Sequence, residues 1–462
     1  MRSARKSSII VLVLLAVGVA GTIMWWNART SNQKTPVILI SIDTLRADHA
    51  GVYGYHRETT PNLDALAAEA VVFERAYAPS PNTATSHATM LTGLRPVVHG
   101  CSPEERLMPK VKLLSEYFKE NGYTTGGFAT HGAWLTRKMG FAQGFDEFYS
   151  AFVNAPRVHK EALPFLEKHK KESIFMFLHY YDVHSDYHFL PYETGTEFDS
   201  TWCGDYSGGF TGCMYEICGS ELLDKINRER LPMATEDIQY ITDLYDGGVL
   251  FTDHYLGILL RRLKELGLYE KAIIVVTADH GEEFREHGNF LHTQYYDEVM
   301  HVPLIIKMPG QKAVRRVDGM TGLVDIVPTL LDAAGIEAAE TQGVSLMPQV
   351  RGEAGLDPER VILSTLKADR LELAQDMALR TADYTFTTWE QGQHNRLYDI
   401  HADPGEHKDV QSLLPRVFQH MQREARRLYA RDLTLRRRLG LKYGGTGTSA
   451  EQKEKLKSLG YL

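Results

Sequence analysis

Cysteine is scarce in this chain, with four in 462 residues, no Cys-x-x-Cys pair and none of the spacings of a zinc knuckle. A thiolate-built metal site and a disulfide-dense scaffold are therefore both excluded. Long Gly/Ser or Pro tracts are missing, and no segment recurs at a fixed period, which argues against linker-rich and solenoid architectures. Positive charge is not in excess: Lys plus Arg number 51 against 59 for Asp plus Glu, a formal net charge of −8. A mildly acidic chain has no electrostatic footprint for bulk nucleic-acid binding, so no nucleic-acid partner is expected. What remains is ordinary globular composition, 43% hydrophobic and 24% charged, which excludes a disordered chain. The length suits up to three domains, or one large α/β catalytic domain with an appendage.

The amino terminus reads as a targeting segment. Arg2, Arg5 and Lys6 precede an uncharged run over residues 7–26 that ends in Trp25-Trp26, with Arg29 just beyond. The run is longer than the roughly 7–15 apolar residues of a cleaved signal, and comes close to spanning a hydrocarbon core of about 30 Å. Its flanking charges favour a cytoplasmic N-terminus, and the paired tryptophans suit an interfacial belt. Residues 1–35 are thus read as a signal anchor and linker. The membrane becomes an expected partner, and the catalytic domain is expected outside the cytoplasm, in a periplasm or lumen. Cleavage near Val19-Ala20-Gly21 is the competing reading and would give a secreted protein. Cys203, Cys213 and Cys218 cluster in a Gly/Tyr/Asp-rich stretch that reads as an inserted loop, far from Cys101. One or two disulfides are expected, and four cysteines leave three connectivities open.

Apolar runs recur at Val37-Ile38-Leu39-Ile40-Ser41-Ile42, Ile174-Phe175-Met176-Phe177-Leu178, Ile273-Ile274-Val275-Val276 and Val302-Pro303-Leu304-Ile305-Ile306. Runs that are apolar on both faces suit strands of a parallel sheet covered by helices. Helical patterns at 62–69, 113–121 and 245–266 lie between them. This alternation predicts an α/β fold, a doubly wound, mostly parallel sheet flanked by helices, over residues 36–345. Beyond residue 346 the segments shorten. Strands are expected around Asp383-Tyr384-Thr385-Phe386-Thr387-Thr388-Trp389 and Arg396-Leu397-Tyr398-Asp399-Ile400, followed by a turn at Asp403-Pro404-Gly405 and an Arg-rich helix over 413–439. Residues 346–462 therefore read as a smaller C-terminal α+β subdomain. The run Arg436-Arg437-Arg438 is expected on a solvated helix face, with contact to anionic lipid as the alternative.

Ligands of such sheets bind outside the carboxyl ends of the strands. Asp43 follows the first run, Asp182 and His184 follow the second, and Asp279-His280 follows the third. A lone Asp there is usually a turn or capping residue. Asp beside His at one strand end, with a further Asp at another, is the composition of a divalent-metal site. The segment Ser80-Pro81-Asn82-Thr83-Ala84-Thr85-Ser86-His87 stops one element and starts a helix at Thr83 that ends near Gly93. A hydroxyl there sits at the positive end of the helix dipole, where an oxyanion is favoured. As a plain N-cap, Thr83 would need no metal ligands elsewhere, and so those ligands decide.

In order and spacing, a set of motifs resembles the sulfatase family of the alkaline-phosphatase superfamily. They are Ile42-Asp43-Thr44-Leu45-Arg46-Ala47-Asp48, Thr59-Thr60-Pro61-Asn62-Leu63-Asp64, Met90-Leu91-Thr92-Gly93, Thr277-Ala278-Asp279-His280-Gly281-Glu282, Glu286-His287-Gly288, Leu397-Tyr398-Asp399, Asp403-Pro404-Gly405-Glu406 and Leu459-Gly460-Tyr461-Leu462. The resemblance implies a metal-dependent ester hydrolase with an alkaline-phosphatase-like fold and an in-line covalent nucleophile. True sulfatases carry Cys or Ser in the pattern Cys/Ser-x-Pro-x-Arg and convert it to formylglycine. Here Thr83 stands at the nucleophile position, Thr85 at the Pro and His87 at the Arg. Cys101-Ser102-Pro103 is a decoy, with Glu105 in place of the Arg and no Leu-Thr-Gly after it.

Threonine is the nucleophile in related phosphodiesterases and phosphoethanolamine-type transferases, so phosphate mono- or diesters are the expected substrates. The implied metal ligands are Asp43, Thr83, Asp279 and His280. His280 stands where calcium-bound sulfatases carry Asn, and Thr44 replaces a second Asp, which favours Zn²⁺ or Mn²⁺ over Ca²⁺ or Mg²⁺. His292 falls at a sulfate-contacting Lys, giving Thr83, His87 and His292 as the catalytic set. Asp182, His184 and His131 are the expected substrate-binding residues, and His287 and His301 are weaker candidates. The organic part of the ester is expected to be read by loops, including residues 192–231. Two alternatives stay open: a sulfatase working without formylglycine, and an inactive binding protein that keeps the fold.

Overall fold

The computed structural model describes residues 33–130, 133–186, 190–204, 206–214, 217–365, 376–389 and 394–441. The expected anchor run and His131 lie outside the described residues. Among the described residues, no helix is long and apolar enough to cross a membrane.

Eight strands form one sheet: β1 (Val37–Ile42), β2 (Val71–Tyr77), β3 (Thr124–Ala129), β4 (Glu147–Ser150), β5 (Ile174–Tyr180), β6 (Ile273–Ala278), β7 (His301–Lys307) and β8 (Arg315–Gly322). Their spatial order is β8-β2-β7-β6-β1-β5-β3-β4. The block β6-β1-β5-β3-β4 is parallel throughout. Every residue of β1, β5 and β6 is buried, as the unbroken apolar runs require of strands covered on both faces. One expectation is corrected: β7 runs antiparallel to both β2 and β6. Its apolar run carries no direction. The chain between β6 and β7 stays at one end of the sheet, and without a crossover the return strand must reverse.

Helices α1 (Pro61–Ala67), α2 (Thr83–Thr92), α3 (Ala155–His169) and α4 (Thr235–Glu265) pack around this sheet. Helix α4 starts ten residues before the expected 245. Its opening Thr-Glu-Asp-Ile-Gln-Tyr lacks the apolar period that marks the rest, which is buried at Leu244, Val249, Leu256, Leu259 and Leu263.

A second, antiparallel sheet contains β9 (Ile362–Thr365), β10 (Met377–Arg380), β11 (Tyr384–Trp389) and β12 (His394–Asp399) in that order. Helix α5 (Pro415–Arg438) covers it through Leu379, Phe386, Leu397, Met421 and Tyr429. Edge strand β9 is tied to the chain after β2: Thr365 N–H donates to Pro79 O at 2.9 Å and Ser364 Oγ to Ala78 O at 2.7 Å. The solvated reading of the Arg-rich run is corrected at one residue. Arg436 is buried and donates to Val97 O at 2.9 Å, while Arg437 and Arg438 are exposed. Cys213 and Cys218 form a disulfide across a short hairpin, and Cys101 and Cys203 are free thiols.

Candidate active site

The site is assembled from three adjacent parallel strands and the start of α2. β1 ends directly before Asp43, and β6 ends directly before Asp279 and His280. Strands β1 and β6 pair in register, Ile42 opposite Ala278, so the acidic groups that follow must face each other. One ligand atom each from Asp43, Asp279 and His280 lies within 4.8 Å of the others, and all three residues are buried.

Helix α2 begins at Thr83 because Pro81 and Asn82 end the preceding segment. The cap is Asn82, not Thr83: the Asn82 side chain accepts the Thr85 N–H at 3.2 Å. This leaves the Thr83 hydroxyl uncommitted to capping, and it lies 3.5 Å from Nε2 of His280. The helix ends at Gly93, whose φ of +68° is a left-handed conformation that glycine takes at no steric cost.

Two buried carboxylate oxygens in this group, Oδ1 of Asp43 and Oδ2 of Asp279, accept no hydrogen bond. Leaving a buried anion's lone pairs unmet is expensive, and a cation is the usual remedy. Burial, followed by repulsion from Asp279, Asp186 and Glu282, pushes the Asp43 carboxyl well above the usual carboxylate range. Asp279 stays below that range despite its burial, because His280, His87 and the N–H groups of Thr44 and His280 favour its charge. Burial lowers His280 to about 4, so its imidazole is neutral and available as a ligand. His280 Nδ1 is 3.0 Å from Gly281 O, which as an acceptor keeps the proton on Nδ1. Oxygen and imidazole donors, two of them orphaned oxygens, fit a divalent cation.

Two histidines flank the group from below. His87 contacts Thr83 O through Nδ1 at 2.8 Å and Ser41 Oγ through Nε2 at 2.9 Å. His179, within β5, places Nε2 3.1 Å from Asp43 Oδ2. The sequence reading assigned His179 no role. Its signal was present, since it is a polar residue at the end of an apolar run, in register with Ser41 of β1. The His292 ring lies 4.3 Å from that of His280, and its Nδ1 is 3.2 Å from both carboxylate oxygens of Glu282. Glu282, another residue without an assigned role, is raised by burial to about 7. His184 pairs with Asp186 at 2.9 Å and faces His292 at 5.2 Å between ring centroids. Asp186 raises the His184 pKa although burial opposes it.

Several expected residues are engaged by other groups. Asp182 Oδ1 accepts the Ala155 N–H at 2.9 Å, at the first turn of α3, so one of its two oxygens is engaged at a helix terminus. Thr44 adopts φ of +53°, a strained conformation for a β-branched residue, and its hydroxyl donates to Val183 O at 3.2 Å rather than joining the ligands. His301 contacts Glu74 O and Asp297, and His287 stacks on Tyr296; neither belongs to the group.

With this geometry in place, comparison with known proteins decides the family. A sulfatase family model matches residues 35–336, which is more than half of the chain.

The chain belongs to the sulfatase family.

A second family model, the C-terminal part of N-sulphoglucosamine sulphohydrolase, matches residues 285–430. Similar proteins include a Delta 4,5-hexuronate-2-O-sulfatase of Bacteroides thetaiotaomicron, 26% identical over 425 residues, covering 83% of this chain and 86% of that protein. Human arylsulfatase K is 32% identical over 192 residues, covering 39% of this chain and 35% of that protein. Among solved structures, the phosphonate monoester hydrolase of Silicibacter pomeroyi superposes with a TM-score of 0.71 at 22% identity, covering 86% of this chain and 96% of that one, and shares the fold. This sulfatase-family chain is accordingly a hydrolase of phosphoric or sulfuric ester bonds. Its Asp43–Asp279–His280 group fits the divalent metal that the family uses.

Proposed function

We propose that this sulfatase-family hydrolase acts on phosphate mono- or diesters of a carbohydrate, through the Thr83 hydroxyl as nucleophile. The acceptor is water or a second alcohol. The observation that carries the reading is the Thr83 hydroxyl itself, released from capping duty at the start of α2 and 3.5 Å from His280 beside two orphaned carboxylate oxygens. Asp43, Thr83, Asp279 and His280 are the proposed ligands, and the imidazole favours Zn²⁺ or Mn²⁺ over Ca²⁺ or Mg²⁺. A cation bound there supplies Lewis-acid charge and lowers the pKa of a hydroxyl that it coordinates.

The protein's own groups account for the rest. The N-terminal end of α2 favours negative charge at the attacking oxygen. His87 and Ser41 hold the first turn of that helix in place. His184, whose affinity for a proton Asp186 raises, supports binding of the phosphoryl oxygens, and the charge spread over those oxygens is what the site must stabilise. The Thr83 hydroxyl loses its proton as its oxygen bonds to phosphorus, and the bond from phosphorus to the organic oxygen breaks, that alkoxide leaving with a proton from solvent. Water or alcohol then attacks phosphorus, its proton passes to the Thr83 oxygen, and the Thr83 oxygen–phosphorus bond breaks to free the threonine. Sulfate is disfavoured because a threonine sulfate lacks the geminal hydroxyl through which a formylglycine adduct collapses. Support for a carbohydrate as the organic part comes from the hexuronate named for the relative that spans most of the chain.

The decisive experiment assays bis-nitrophenyl phosphate, nitrophenyl phosphate and nitrophenyl sulfate in parallel, with Thr83→Ala as control. Turnover of the phosphate esters, slow turnover of sulfate and an inactive variant are expected. Sulfate turnover that survives in Thr83→Ala overturns the assignment in favour of a sulfatase working without formylglycine.

Residues 1–35 are further proposed to anchor the chain in a membrane, with the catalytic domain outside the cytoplasm. The apolar run behind Arg2, Arg5 and Lys6 and the Cys213–Cys218 disulfide, a bond of oxidising compartments, support this. Protease added to the cytoplasmic face of sealed membrane vesicles tests it: the catalytic domain is expected to resist until detergent opens the vesicles, and digestion before detergent overturns the orientation.

A further inference from the structure

The residue after Asp43 carries backbone strain at the edge of the metal-ligand group. Thr44 has φ of +53°, in the left-handed region that a β-branched residue avoids. Such a conformation costs free energy and persists only where its surroundings over-determine it. Here the Thr44 N–H donates to Asp279 Oδ1 at 3.2 Å and its hydroxyl donates to Val183 O at 3.2 Å. Its carbonyl oxygen accepts from the Tyr245 hydroxyl at 2.8 Å.

Tyr245 reaches this loop from α4 and is fully buried. Besides donating to Thr44 O, its hydroxyl accepts the Arg46 N–H at 2.9 Å. The ring packs edge-on against Phe284 and His49, at 4.8 and 5.1 Å between centroids. A phenylalanine ring would fill that space equally well; the hydroxyl adds the grip on residues 44 and 46. Burial raises its pKa well above the usual tyrosine range, so it stays protonated and able to donate.

The grip reaches Asp279. Its Oδ1 accepts the N–H of Thr44 and, at 3.0 Å, that of His280. Oδ2, the orphaned oxygen, is left on the side of His280 Nε2, 3.4 Å away. Arg46 is pinned by Asp48 and Glu286. A change of φ at Thr44 must therefore turn the peptide between Asp43 and Thr44, and with it the N–H that holds Asp279.

We propose that Tyr245 is a positioning residue for the metal-ligand group: its hydroxyl clamps Thr44 in the left-handed conformation, and the Thr44 N–H thereby fixes which carboxylate oxygen Asp279 presents to the cation. This rests on the metal reading of Asp43, Asp279 and His280, and adds to it a helix residue that acts through Thr44.

The test measures Zn²⁺ and Mn²⁺ affinity by chelator competition in the full-length protein, with the Tm of the metal-free protein alongside. Wild type, Tyr245→Phe, Thr44→Gly and the double variant are compared. Glycine takes a positive φ at no steric cost, so it needs no clamp. Tyr245→Phe is expected to weaken metal binding about ten-fold, and the same change in the Thr44→Gly background by less than about three-fold. Rescue by glycine separates clamping from packing, because a lost buried hydrogen bond alone costs the same in both backgrounds. An equal loss of affinity in the two backgrounds, or a fall in Tm with no loss in either, overturns the clamp while the metal reading stands. A wild type that binds neither ion overturns both.

Discussion

The Nδ1–H of His87 donates to the carbonyl oxygen of Thr83 across 2.8 Å, one helical turn away. A carbonyl only accepts, so the proton sits on Nδ1, and Nε2 accepts from the Ser41 hydroxyl 2.9 Å away. Burial lowers the His87 pKa, which keeps the ring neutral. A neutral imidazole thus stands where the family resemblance expects a guanidinium, and its contacts fix the turn that carries Thr83. We expect His87→Ala to lower kcat on nitrophenyl phosphate by about 100-fold and stability by about 2–3 kcal/mol, through a lost buried hydrogen bond and a cavity beside Phe177 and His179. Steady-state kinetics and urea melts measure the two effects. A folded variant with wild-type kcat would restrict His87 to packing.

Asp43 is destabilising until its charge is met. Its raised pKa, caused by burial and by Asp279, Asp186 and Glu282, means that the metal-free fold prefers a neutral group there. Asp43→Asn should therefore raise the stability of metal-free protein at pH 7 by about 1–3 kcal/mol. The same variant should lose the rise in Tm that added Zn²⁺ or Mn²⁺ gives the wild type, along with activity. Thermal melts with and without metal report both. Equal metal-induced shifts in variant and wild type would remove Asp43 from the ligand set.

Much of this architecture is legible in the sequence for one reason: burial on both faces leaves an unbroken apolar signature, as in β1, β5 and β6. The bounds of α2 are equally plain, because Pro81-Asn82 and Gly93 act on the local backbone alone. Other features depend on tertiary context. The direction of β7 follows from the path of residues 279–300, and the early start of α4 lies in a polar stretch with no period. Within the site, the juxtaposition of Asp43 with Asp279 and His280 follows once β1 and β6 are neighbours. Which side chain of the segment after β5 turns inward does not. His179, still inside the strand, reaches Asp43, whereas Asp182, three residues later, turns to α3.

Its burial beside α3 gives Asp182 a pH signature. Burial lifts its carboxyl to about 7, while the unfolded chain titrates near 4. Between those values the folded protein holds a proton that the unfolded chain has released, so this residue lowers stability as pH rises from about 4 to 7, and its effect is absent below. Asp182→Asn keeps an acceptor for the Ala155 N–H and carries no charge. Its stability gain over wild type should be near zero at pH 4 and on the order of 2 kcal/mol at pH 8, with activity retained. Denaturant melts at the two pH values check the slope, and loss of turnover in a stable variant would return Asp182 to the substrate.

Gly281 ties the ligand loop to the segment before β7. Its N–H donates to Val299 O at 2.6 Å, and a Cβ at this position would collide with the backbone oxygen of Glu298. Replacing glycine by alanine usually stabilises a fold by about 0.4–1 kcal/mol, because the unfolded chain loses freedom. Here the obstacle is backbone, which cannot swing aside like a side chain, so the loop itself must retreat. His280 moves with it, because its Nδ1 is bonded to the Gly281 carbonyl oxygen. Gly281→Ala is therefore expected to lower Tm by several degrees, weaken metal binding by at least about ten-fold and reduce kcat/KM by about 100-fold. Calorimetry, metal competition and kinetics measure these together. If metal affinity and kcat/KM stayed at wild-type values while Tm fell, the loop would tolerate displacement, and the close approach of Gly281 to Glu298 would matter for stability alone.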